Sequence, residues 1–463
     1  MFIGRDRELD NLNRDHKKNN FQFAVIYGRR RVGKTTLINE FNKNKKAIYF
    51  VAAETTAKEN LEILSYEILS VIAPKSPRTP FLSFREAIDY VFQYAKDERI
   101  VFAIDEYPYL AQSDRSVSSI LQALIDKYQE SSRLFLILCG SSMSFMENQV
   151  LGYKSPLYGR RTSQYKILPF NYIDSSKLLT GFKNDEKMIL YSITGGIPEY
   201  LSRVDTGSSL EENVYNLFLQ PSARLFEEPS NLLKQELKMP QTYNGIISAI
   251  ATGSSRLNEI ATKAGIETSQ CSVMINALID LGIVKKEYPI TSQNTKKTIY
   301  SLEDQMFRFW YRFVSPNMSR INAGYGRSVC EEIFREGMSE YMGHSFEEIS
   351  KQYMWVQVSR NTLPFVFLHI GRWWGSNKTY KQEEEIDILA YAKDKAVFGE
   401  CKWKNTPVGL DILEKLIQKS GILDQFSDRH YILFSKSGFT DSLITKANDN
   451  SSTTLVNIDD MFD

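Results

Sequence analysis

The feature that most constrains this chain is a glycine-rich stretch at residues 24–38. An apolar run, residues 24–27, enters a turn that carries Gly28 and Gly33 and then continues into a helical pattern. The spacing is G-x-x-x-x-G-K-T in a strand–loop–helix context, which is the signature of a P-loop. A glycine-rich turn that arose by chance would not be expected to combine the preceding strand, the G-x-x-x-x-G-K-T spacing and the Lys-Thr pair. The sequence therefore predicts a nucleoside triphosphate site.

The chemistry of a P-loop assigns roles to its residues. Backbone N–H groups of the loop form a nest for phosphate, and the following helix points its positive end at the same place. Lys34 can reach the β- and γ-phosphates, and Thr35 offers a hydroxyl to Mg²⁺. The residues expected to cradle ATP are Gly28, Arg29, Arg30, Arg31, Val32, Gly33, Lys34, Thr35 and Thr36.

A second motif lies at the end of another apolar run. Residues 100–104 are apolar throughout and are followed by Asp105 and Glu106. Such a strand is buried on both faces of a parallel sheet, so its terminal carboxylates lie at the sheet edge beside the phosphates. We expect Asp105 to hold the Mg²⁺ shell and Glu106 to polarise the attacking water. Following a P-loop, this pattern predicts a Walker B motif.

Segments around these motifs resemble AAA+ and STAND-type ATPases. Residues 2–9 match their F-x-G-R-x-x-E-L opening, which lies against the nucleotide base; a cap helix after a glycine turn is the alternative. In AAA+-type proteins a polar residue at the end of a core strand senses the γ-phosphate, which makes Ser141 or Ser142 the candidate unless they form a simple turn. The turn before Pro198 resembles the G-x-P segment with which STAND proteins touch the base from a helical lid; a helix-terminating turn is the alternative.

Two arginines, Arg160 and Arg161, fall in a loop before residues 168–170. Arginines there could stabilise transition-state charge as a finger, supplied by the same chain or by a neighbour. Equally, they could be solvated surface charge. The sequence leaves both interpretations open.

From residue 242 the pattern changes to three helices followed by a hairpin. The predicted elements are helices 243–251, 256–265 and 268–281 and strands 282–286 and 298–300. This order predicts a winged helix, whose last helix enters the major groove in DNA readers. The polar residues of that helix carry no positive charge here, and the basic residues of the wing are Lys285, Lys286, Lys296 and Lys297. Contact with DNA, which these lysines would support, and a structural role both stay open.

The last third carries a second constellation of charged residues. Residues two apart on a strand share a face, so Glu400 and Lys402 converge. A hairpin would bring Asp387 beside them, and Glu347 lies in a helical pattern upstream. The carboxylates could bind Mg²⁺ or Mn²⁺, and Lys402 would orient and help deprotonate a water that attacks a phosphodiester. An exposed hairpin with a salt bridge is the alternative.

This order of a helical Glu, an Asp and Glu-x-Lys resembles the PD-(D/E)xK nuclease fold over residues 340–435. The Pro that often precedes the Asp is Ile386 here, a departure that leaves the chemistry in place. The whole chain resembles the prokaryotic AAA+/STAND-like archaeal ATPase family with a C-terminal DUF234 domain. That resemblance implies ATP binding and hydrolysis coupled to a nuclease-related domain.

Composition limits the class of protein. A chain of 463 residues should hold about three domains, and 42% hydrophobic with 24% charged residues is ordinary for a soluble globular protein. The net charge of +1 gives no whole-molecule attraction to nucleic acid or membrane. The four cysteines are far apart, which argues against a disulfide framework or a zinc site. With no signal-peptide pattern and no apolar run of membrane-spanning length, we expect a cytoplasmic protein without a membrane partner.

We therefore predict an α/β chain with five regions. They are a P-loop parallel-sheet ATPase core (1–170), a helical lid (171–238), a winged-helix domain (239–302), a helical connector (303–339) and an α/β restriction-endonuclease-like C-terminal domain (340–463). The expected function is an ATPase whose nucleotide state regulates a metal-dependent deoxyribonuclease. The alternative is an ATP-dependent switch or DNA-binding regulator with a catalytically silent C-terminal domain. A homo-oligomer or a partner protein stays open.

Overall fold

The computed structural model describes residues 2–75, 79–291, 297–377 and 381–462. The chain divides into two compact units. The N-terminal unit comprises Met1–Phe170 and Ile197–Glu199, and the C-terminal unit comprises Asn171–Gly196 and Tyr200–Asp463.

A five-stranded parallel sheet forms the centre of the N-terminal unit, with the order β2-β3-β4-β1-β5. Its strands are β1 (Gln22–Tyr27), β2 (Ala47–Val51), β3 (Ile100–Asp105), β4 (Leu134–Gly140) and β5 (Ser163–Lys166). Every residue of β1, β3 and β4 is buried, as expected for central strands of a parallel sheet covered on both faces. Because β4 lies between β1 and β3, the C-terminal ends of all three meet at one edge.

Helices of the N-terminal unit pack on this sheet. They are α1 (Asp6–Lys17), α2 (Lys34–Asn42), α3 (Ala57–Ile72), α4 (Phe84–Tyr94), α5 (Tyr107–Ser113), α6 (Val117–Tyr128) and α7 (Met143–Phe145), with a π-helical turn at Met146–Val150. Thr56 and Ser83 cap α3 and α4, each accepting a backbone N–H three residues on. Phe92 of α4 stacks on Tyr128 of α6 at 5.6 Å between ring centroids, which joins the two helices over the core.

The first half of the C-terminal unit is helical apart from a two-stranded hairpin. Its elements are α8 (Tyr172–Ser176), α9 (Asn184–Thr194), α11 (Leu210–Phe218) and α12 (Glu228–Glu236), then α13 (Pro240–Ala251), α14 (Leu257–Ala264), α15 (Thr268–Asp280), β6 (Val284–Glu287) and β7 (Ile299–Leu302). The short helix α10 (Pro198–Leu201) falls at the boundary of the two units. Strands β6 and β7 are antiparallel. Gly265 ends α14 with φ 68, the left-handed conformation that glycine adopts freely.

A series of helical turns then leads to the long helix α19. The elements are α16 (Gln305–Phe309), α17 (Met318–Arg320), α18 (Gly326–Glu332) and α19 (Met338–Arg360), with π-helical turns at Trp310–Val314, Ile321–Tyr325 and Ile333–Gly337 and a 3-10 turn at Ser315–Asn317. The aromatic side chains of residues 307–313 are buried. They pack in the interior of the unit.

The second half of the C-terminal unit is built on a mixed sheet with the order β12-β11-β10-β9-β8. Its elements are β8 (His369–Asn377), β9 (Gln382–Ala392), β10 (Lys395–Lys402), α20 (Leu410–Ser420), β11 (Asp428–Ser435), α21 (Asp441–Asn448), β12 (Thr453–Asn457) and a 3-10 turn at Asp459–Met461. Strands β8, β9 and β10 pair antiparallel, whereas β10, β11 and β12 are parallel. The antiparallel hairpin of β9 and β10 agrees with the predicted pairing.

Both α/β parts of the predicted fold class are therefore present, and the strands and helices of the two motifs lie where the sequence places them. The five domain boundaries stay a prediction. Among the helices of the described residues, none has both the length and the apolar character needed to cross a membrane.

Candidate functional site

The loop between β1 and α2 adopts a conformation that its glycines permit. Gly33 has φ 92 at the start of α2, and Arg31 has φ 69. A Cβ added at Gly28 would lie 2.3 Å from the backbone oxygen of Ile167, whereas one at Gly33 would meet nothing within 4 Å. Gly28 is thus required by a close approach of backbone, and Gly33 by its positive φ.

Lys34 points back into the loop. Its Nζ donates hydrogen bonds to the carbonyl oxygens of Gly28 at 2.8 Å and Arg29 at 2.9 Å. Burial lowers the pKa of Lys34, an effect opposed by the nearby carboxylates of Glu106 and Asp105. The ammonium group can exchange these two carbonyls for phosphate oxygens when a nucleotide enters.

Asp105 is surrounded by donors. Its Oδ2 accepts hydrogen bonds from Thr35 Oγ1 at 2.9 Å and from the Tyr49 hydroxyl at 2.6 Å, and its Oδ1 accepts the backbone N–H of Glu106 at 2.9 Å. Burial alone would raise the pKa of Asp105, but the hydrogen bonds lower it on balance. A hydroxyl beside an ionised carboxylate is a donor set that suits Mg²⁺, so Thr35 and Asp105 fit the predicted metal.

Glu106 and Ser141 also meet at this edge of the sheet. Ser141 Oγ donates to Glu106 Oε1 at 2.7 Å, and Ser141 is buried. The side chain of Ser142, at the start of α7, makes no capping hydrogen bond. The structure therefore separates two serines that the sequence left equivalent and places Ser141 on the predicted catalytic carboxylate.

The two candidate finger arginines differ in their surroundings. Arg160 forms a bidentate pair with Asp126, with both N–O distances at 2.7 Å, and donates to the carbonyl of Pro156 at 2.9 Å. Arg161 lines a surface cavity of about 450 Å³ with Tyr158 and neighbouring residues of the β5 edge. Arg160 is thus engaged within its own unit. Arg161 precedes β5, whose residue Ser163 pairs with Ala24 near the start of β1, so its backbone lies toward the end of the strands opposite to the P-loop, and a finger role for either arginine stays a prediction.

The opening segment is tied to the P-loop. Arg5 is buried, donates to the carbonyls of Val32 at 3.1 Å and of Leu168, and lies over the ring of Phe170 at 4.8 Å. Pro198 begins α10 and belongs to the N-terminal unit. The predicted contacts of these segments with the base stay predictions.

The second constellation is assembled on the β9–β10 hairpin. The backbone N–H of Cys401 donates to Asp387 Oδ2 at 2.9 Å, which joins the two strands through the candidate carboxylate. Lys402 Nζ lies 2.6 Å from Glu400 Oε1, and Lys419 Nζ of α20 lies 3.5 Å from Glu400 Oε2. The convergence of Glu400 and Lys402 on one face agrees with the sequence, whereas nothing in the sequence of α20 indicated that Lys419 would face Glu400.

Carboxylates are crowded here. The pKa of Asp387 is raised to about 7, first by burial and then by the charges of Glu400 and Glu347. The pKa of Glu347 on α19 is also raised to about 7 by burial, although Arg372 and Lys351 oppose the shift. Buried carboxylates that resist ionisation together are stabilised by a cation placed among them, so the donor chemistry fits Mg²⁺ or Mn²⁺.

The predicted third metal ligand, Glu347, lies beside Arg372 and His344. Glu347 Oε2 is buried without a hydrogen-bond partner, 3.8 Å from Arg372 Nε and 3.4 Å from His344 Nδ1. Within the described ranges, no three His, Cys, Asp or Glu side chains are close enough together to hold a metal ion. The site formed by Glu347, Asp387 and Glu400 is thus not assembled as three ligands, and the metal stays a prediction.

The hairpin of β6 and β7, the predicted wing, lies against the C-terminal sheet. Lys285 Nζ lies 2.8 Å from Glu348 Oε1 and 3.0 Å from Glu287 Oε1. The backbone N–H of Ile290 donates to the carbonyl of Arg372 on β8 at 3.1 Å. Lys285 is therefore committed to an internal ion-pair network and does not offer the free charge that its place in the wing suggested.

The other lysines of the wing differ from Lys285. Lys286 and Lys297 are exposed, and Lys296 lies outside the described residues. Support for DNA contact by the wing therefore rests on fewer charges than the sequence indicated.

Comparison with known proteins gives matches over both units. Residues 2–204 match a family described as an ATPase domain predominantly from Archaea, and residues 310–415 match DUF234, described as archaeal and bacterial proteins of unknown function. An uncharacterized protein of Methanocaldococcus jannaschii is 34% identical over 411 residues, 88% of each chain. An uncharacterized ATP-binding protein of the same organism is 50% identical over 46 residues, 10% of this chain and 78% of that one.

Among solved structures, a Walker-type ATPase of Pyrococcus abyssi matches with a TM-score of 0.50 and 21% identity. The match covers 67% of this chain and 96% of that one. At this level of identity the likeness shows the fold alone, and it confirms the predicted parallel-sheet fold of the core.

Proposed function

The chain belongs to the archaeal ATPase family that carries a C-terminal DUF234 domain, and from this premise we propose an ATPase whose nucleotide state regulates a nuclease-like domain. ATP binding and the ATPase class follow from the family. The regulation and the nuclease activity are the proposal. The observation that carries it is helix α19, which holds Glu347 and also contacts α9 through hydrogen bonds.

The ATPase chemistry is assigned to side chains at the edge of the N-terminal sheet. Thr35 and Asp105 would hold Mg²⁺, which when bound neutralises charge on the phosphates. Lys34 binds the phosphates in place of its loop carbonyls, and Glu106 polarises the attacking water. Ser141 orients Glu106 through its 2.7 Å hydrogen bond.

We assign the coupling between the nucleotide state and the nuclease-like domain to the contacts between α9 and α19. The Tyr341 hydroxyl donates to the carbonyl of Ser192 at 2.7 Å, and Gln352 Nε2 donates to the Tyr191 hydroxyl at 2.8 Å. Helix α9 is covalently continuous with Ile197–Glu199, which belong to the N-terminal unit. A displacement of α9 would act on α19 on both sides of Glu347, the predicted third ligand.

The nuclease-like chemistry is assigned to the β9–β10 hairpin. Asp387 and Glu400 would hold Mg²⁺ or Mn²⁺, which when bound activates water and stabilises charge on a phosphodiester. Lys402, 2.6 Å from Glu400, would orient the water by donating a hydrogen bond from its ammonium group, and the proton that the water loses would pass to bulk solvent. The proposed substrate is DNA, on the strength of the Glu-x-Lys motif and its hairpin.

Cleavage assays test the proposal. Supercoiled plasmid and single-stranded DNA are incubated with and without ATP, in Mg²⁺ or Mn²⁺. We expect cleavage by the wild type, loss of cleavage in Asp387→Asn and Lys402→Ala, and loss of the ATP dependence in Lys34→Ala. The control is Lys415→Ala on α20, an exposed lysine 3.3 Å from Asp411. Cleavage that persists in Asp387→Asn, or no cleavage by the wild type, would sink the nuclease assignment.

The second candidate is an ATP-dependent switch with a silent C-terminal domain. The contact between Arg372 and Glu347, at 3.8 Å, favours it because a cation already faces the predicted third ligand. This alternative predicts ATP hydrolysis without cleavage of any nucleic acid in either metal. The same assay therefore separates the two candidates.

A further inference from the structure

Tyr49 makes a contact with the Walker B carboxylate that the P-loop motif does not require. The residue lies on β2, and its backbone is paired with Ala103 of β3. Its side chain reaches the end of β3, where its hydroxyl donates to Asp105 Oδ2 at 2.6 Å. Thr35 Oγ1 donates to the same oxygen at 2.9 Å. The two hydroxyls approach one carboxylate oxygen from different elements.

These two hydrogen bonds fix the orientation of the Asp105 carboxylate. The terminal torsion of an Asp side chain is soft, so a single partner leaves it free to rotate. Oδ1 accepts the backbone N–H of Glu106 at 2.9 Å, which adds a third fixed direction. A hydroxyl that donates to a carboxylate keeps its lone pairs, so Thr35 can donate to Asp105 and still offer oxygen to a metal.

Tyr49 does not serve the main core of the unit. Ile48 and Phe50, its neighbours on β2, are fully buried and belong to the core cluster. Tyr49 alternates with them and is half-buried on the other face of the strand. Its aromatic ring therefore contributes less to packing than theirs, and the feature that distinguishes it is the hydrogen bond to Asp105.

We propose that Tyr49 is a positioning residue of the nucleotide site: its hydroxyl holds Asp105 in the orientation in which Thr35 and Asp105 bind Mg²⁺. This inference deepens the proposed ATPase function and rests on it. Residues that orient groups in a metal site through hydrogen bonds set the affinity for the metal, and their loss costs roughly 10- to 100-fold. Because a phenylalanine keeps the ring, the hydroxyl can be removed with little change in packing.

The test is a Mg²⁺ titration of the binding of a fluorescent ATP analogue, compared between wild type and Tyr49→Phe. We expect the half-saturating Mg²⁺ concentration to rise about 10-fold in Tyr49→Phe, while binding of the analogue in EDTA stays unchanged. The Mg²⁺ dependence of ATP hydrolysis should shift by the same factor. The matched control is Tyr107→Phe, which removes another buried tyrosine hydroxyl of the unit, 2.7 Å from Ser118 Oγ, and should leave the Mg²⁺ titration unchanged.

Each outcome decides the inference. A Tyr49→Phe titration that overlays the wild type would overturn it, as would an equal loss of binding with Mg²⁺ and in EDTA. If Tyr49→Phe does not fold, Tyr49→Met removes the hydroxyl with a more adaptable side chain. A wild type that binds the analogue with Mg²⁺ but does not hydrolyse ATP refutes the proposed ATPase activity while the titration still tests Tyr49. Binding that is independent of Mg²⁺ in the wild type refutes the inference itself.

Discussion

The Ser141 hydroxyl donates a 2.7 Å hydrogen bond to Glu106 Oε1. Glu106 follows β3 and Ser141 follows β4, so the bond joins the ends of two adjacent strands. Glu106 also has φ 49, a left-handed conformation that is uncommon for a residue with a side chain. Backbone conformation and hydrogen bond together fix the direction of the carboxylate that we assign to water activation.

We predict that Ser141→Ala lowers kcat for ATP hydrolysis and leaves nucleotide affinity unchanged. The lost hydrogen bond to a charged group is worth about 1.5–3 kcal/mol, which corresponds to roughly 10- to 100-fold in rate. Steady-state kinetics with a separate binding titration measure the two quantities. The control is Ser142→Ala, whose side chain makes no capping bond. Equal effects of the two substitutions would contradict the role of Ser141.

Arg160→Ala and Arg161→Ala should have different effects on kcat for ATP hydrolysis. Loss of the exposed Arg160–Asp126 pair should cost stability by no more than about 1 kcal/mol and change kcat little. If Arg161 stabilises transition-state charge, Arg161→Ala should lower kcat by at least about 100-fold, since such fingers are worth 10³ or more. Asp126→Ala serves as the control because it breaks the same pair and should reproduce Arg160→Ala. A kcat in Arg161→Ala close to that of the wild type would show that Arg161 is not an arginine finger.

The pH dependence of the N-terminal unit should follow His16. Its ring lies 5.9 Å from Phe41 and 6.0 Å from Phe135, and its pKa is lowered to about 4 by burial and by the charges of Arg99 and Lys45. The unfolded chain, in which His16 has the usual histidine pKa of 6.5, binds more protons than the folded chain between pH 4 and pH 6.5. Stability is therefore fully present above pH 6.5 and falls as the pH drops toward 4.

Thermal melts between pH 7.5 and 4.5 test this expectation. In His16→Gln, which lacks the titrating ring, the melting temperature should fall less steeply through the same window. Its absolute stability should be lower at pH 7.5 because the aromatic contacts are lost. Parallel pH profiles for the two proteins would show that His16 does not titrate as described.

Substitution by alanine should abolish nucleotide binding at Gly28 but should stabilise the protein at Gly343. A Cβ at Gly28 would lie 2.3 Å from the Ile167 carbonyl, so Gly28→Ala must displace the loop and abolish nucleotide binding. A Cβ at Gly343, inside α19, would meet nothing within 4 Å, and Gly343→Ala should stabilise the helix by about 0.5–1 kcal/mol. Chemical denaturation and nucleotide titration measure both effects. Unimpaired binding by Gly28→Ala would contradict the geometry of the loop.

The sequence predicts those parts of the sites that depend on local spacing. The P-loop fixes its own backbone conformation through Gly28 and Gly33, and parallel strands bring their ends to one edge. Alternation along β10 likewise sets Glu400 and Lys402 on one face. Each of these inferences needs only the geometry of a single element or of neighbouring strands.

The parts that the sequence does not predict are contacts between distant segments. Tyr49 contacts Asp105 because β2 and β3 pair in one particular register. The two residues are 56 positions apart in the sequence, and the residues between them do not predict that register. Lys285 and Lys286 are adjacent on a strand and face opposite ways. Lys285 is therefore held in ion pairs with Glu287 and Glu348, whereas Lys286 is exposed to solvent. Which of the two is covered depends on the sheet that lies against the wing.

Substitutions in the wing should therefore separate stability from DNA binding. Burial lowers the pKa of Lys285, but the charges of Glu348 and Glu287 outweigh it and raise the pKa on balance. Lys285→Met removes the lysine partner of Glu287 and one of the two lysines beside Glu348, which keeps Lys351 at 2.6 Å. Because these side chains are only partly buried, the loss should cost about 1–3 kcal/mol. Lys286→Met removes an exposed charge and should leave stability unchanged. Denaturant unfolding measures both.

The salt dependence of DNA binding completes this test. If the wing contacts DNA, Lys286→Met should weaken binding and reduce the slope of log affinity against log salt by about 1, since one phosphate contact is lost. A folded Lys285 variant should keep the wild-type slope because its charge is held by Glu348. An unchanged slope in Lys286→Met would assign that lysine no part in DNA binding. A reduced slope in the Lys285 variant would instead mean that the ion pair with Glu348 opens when DNA binds.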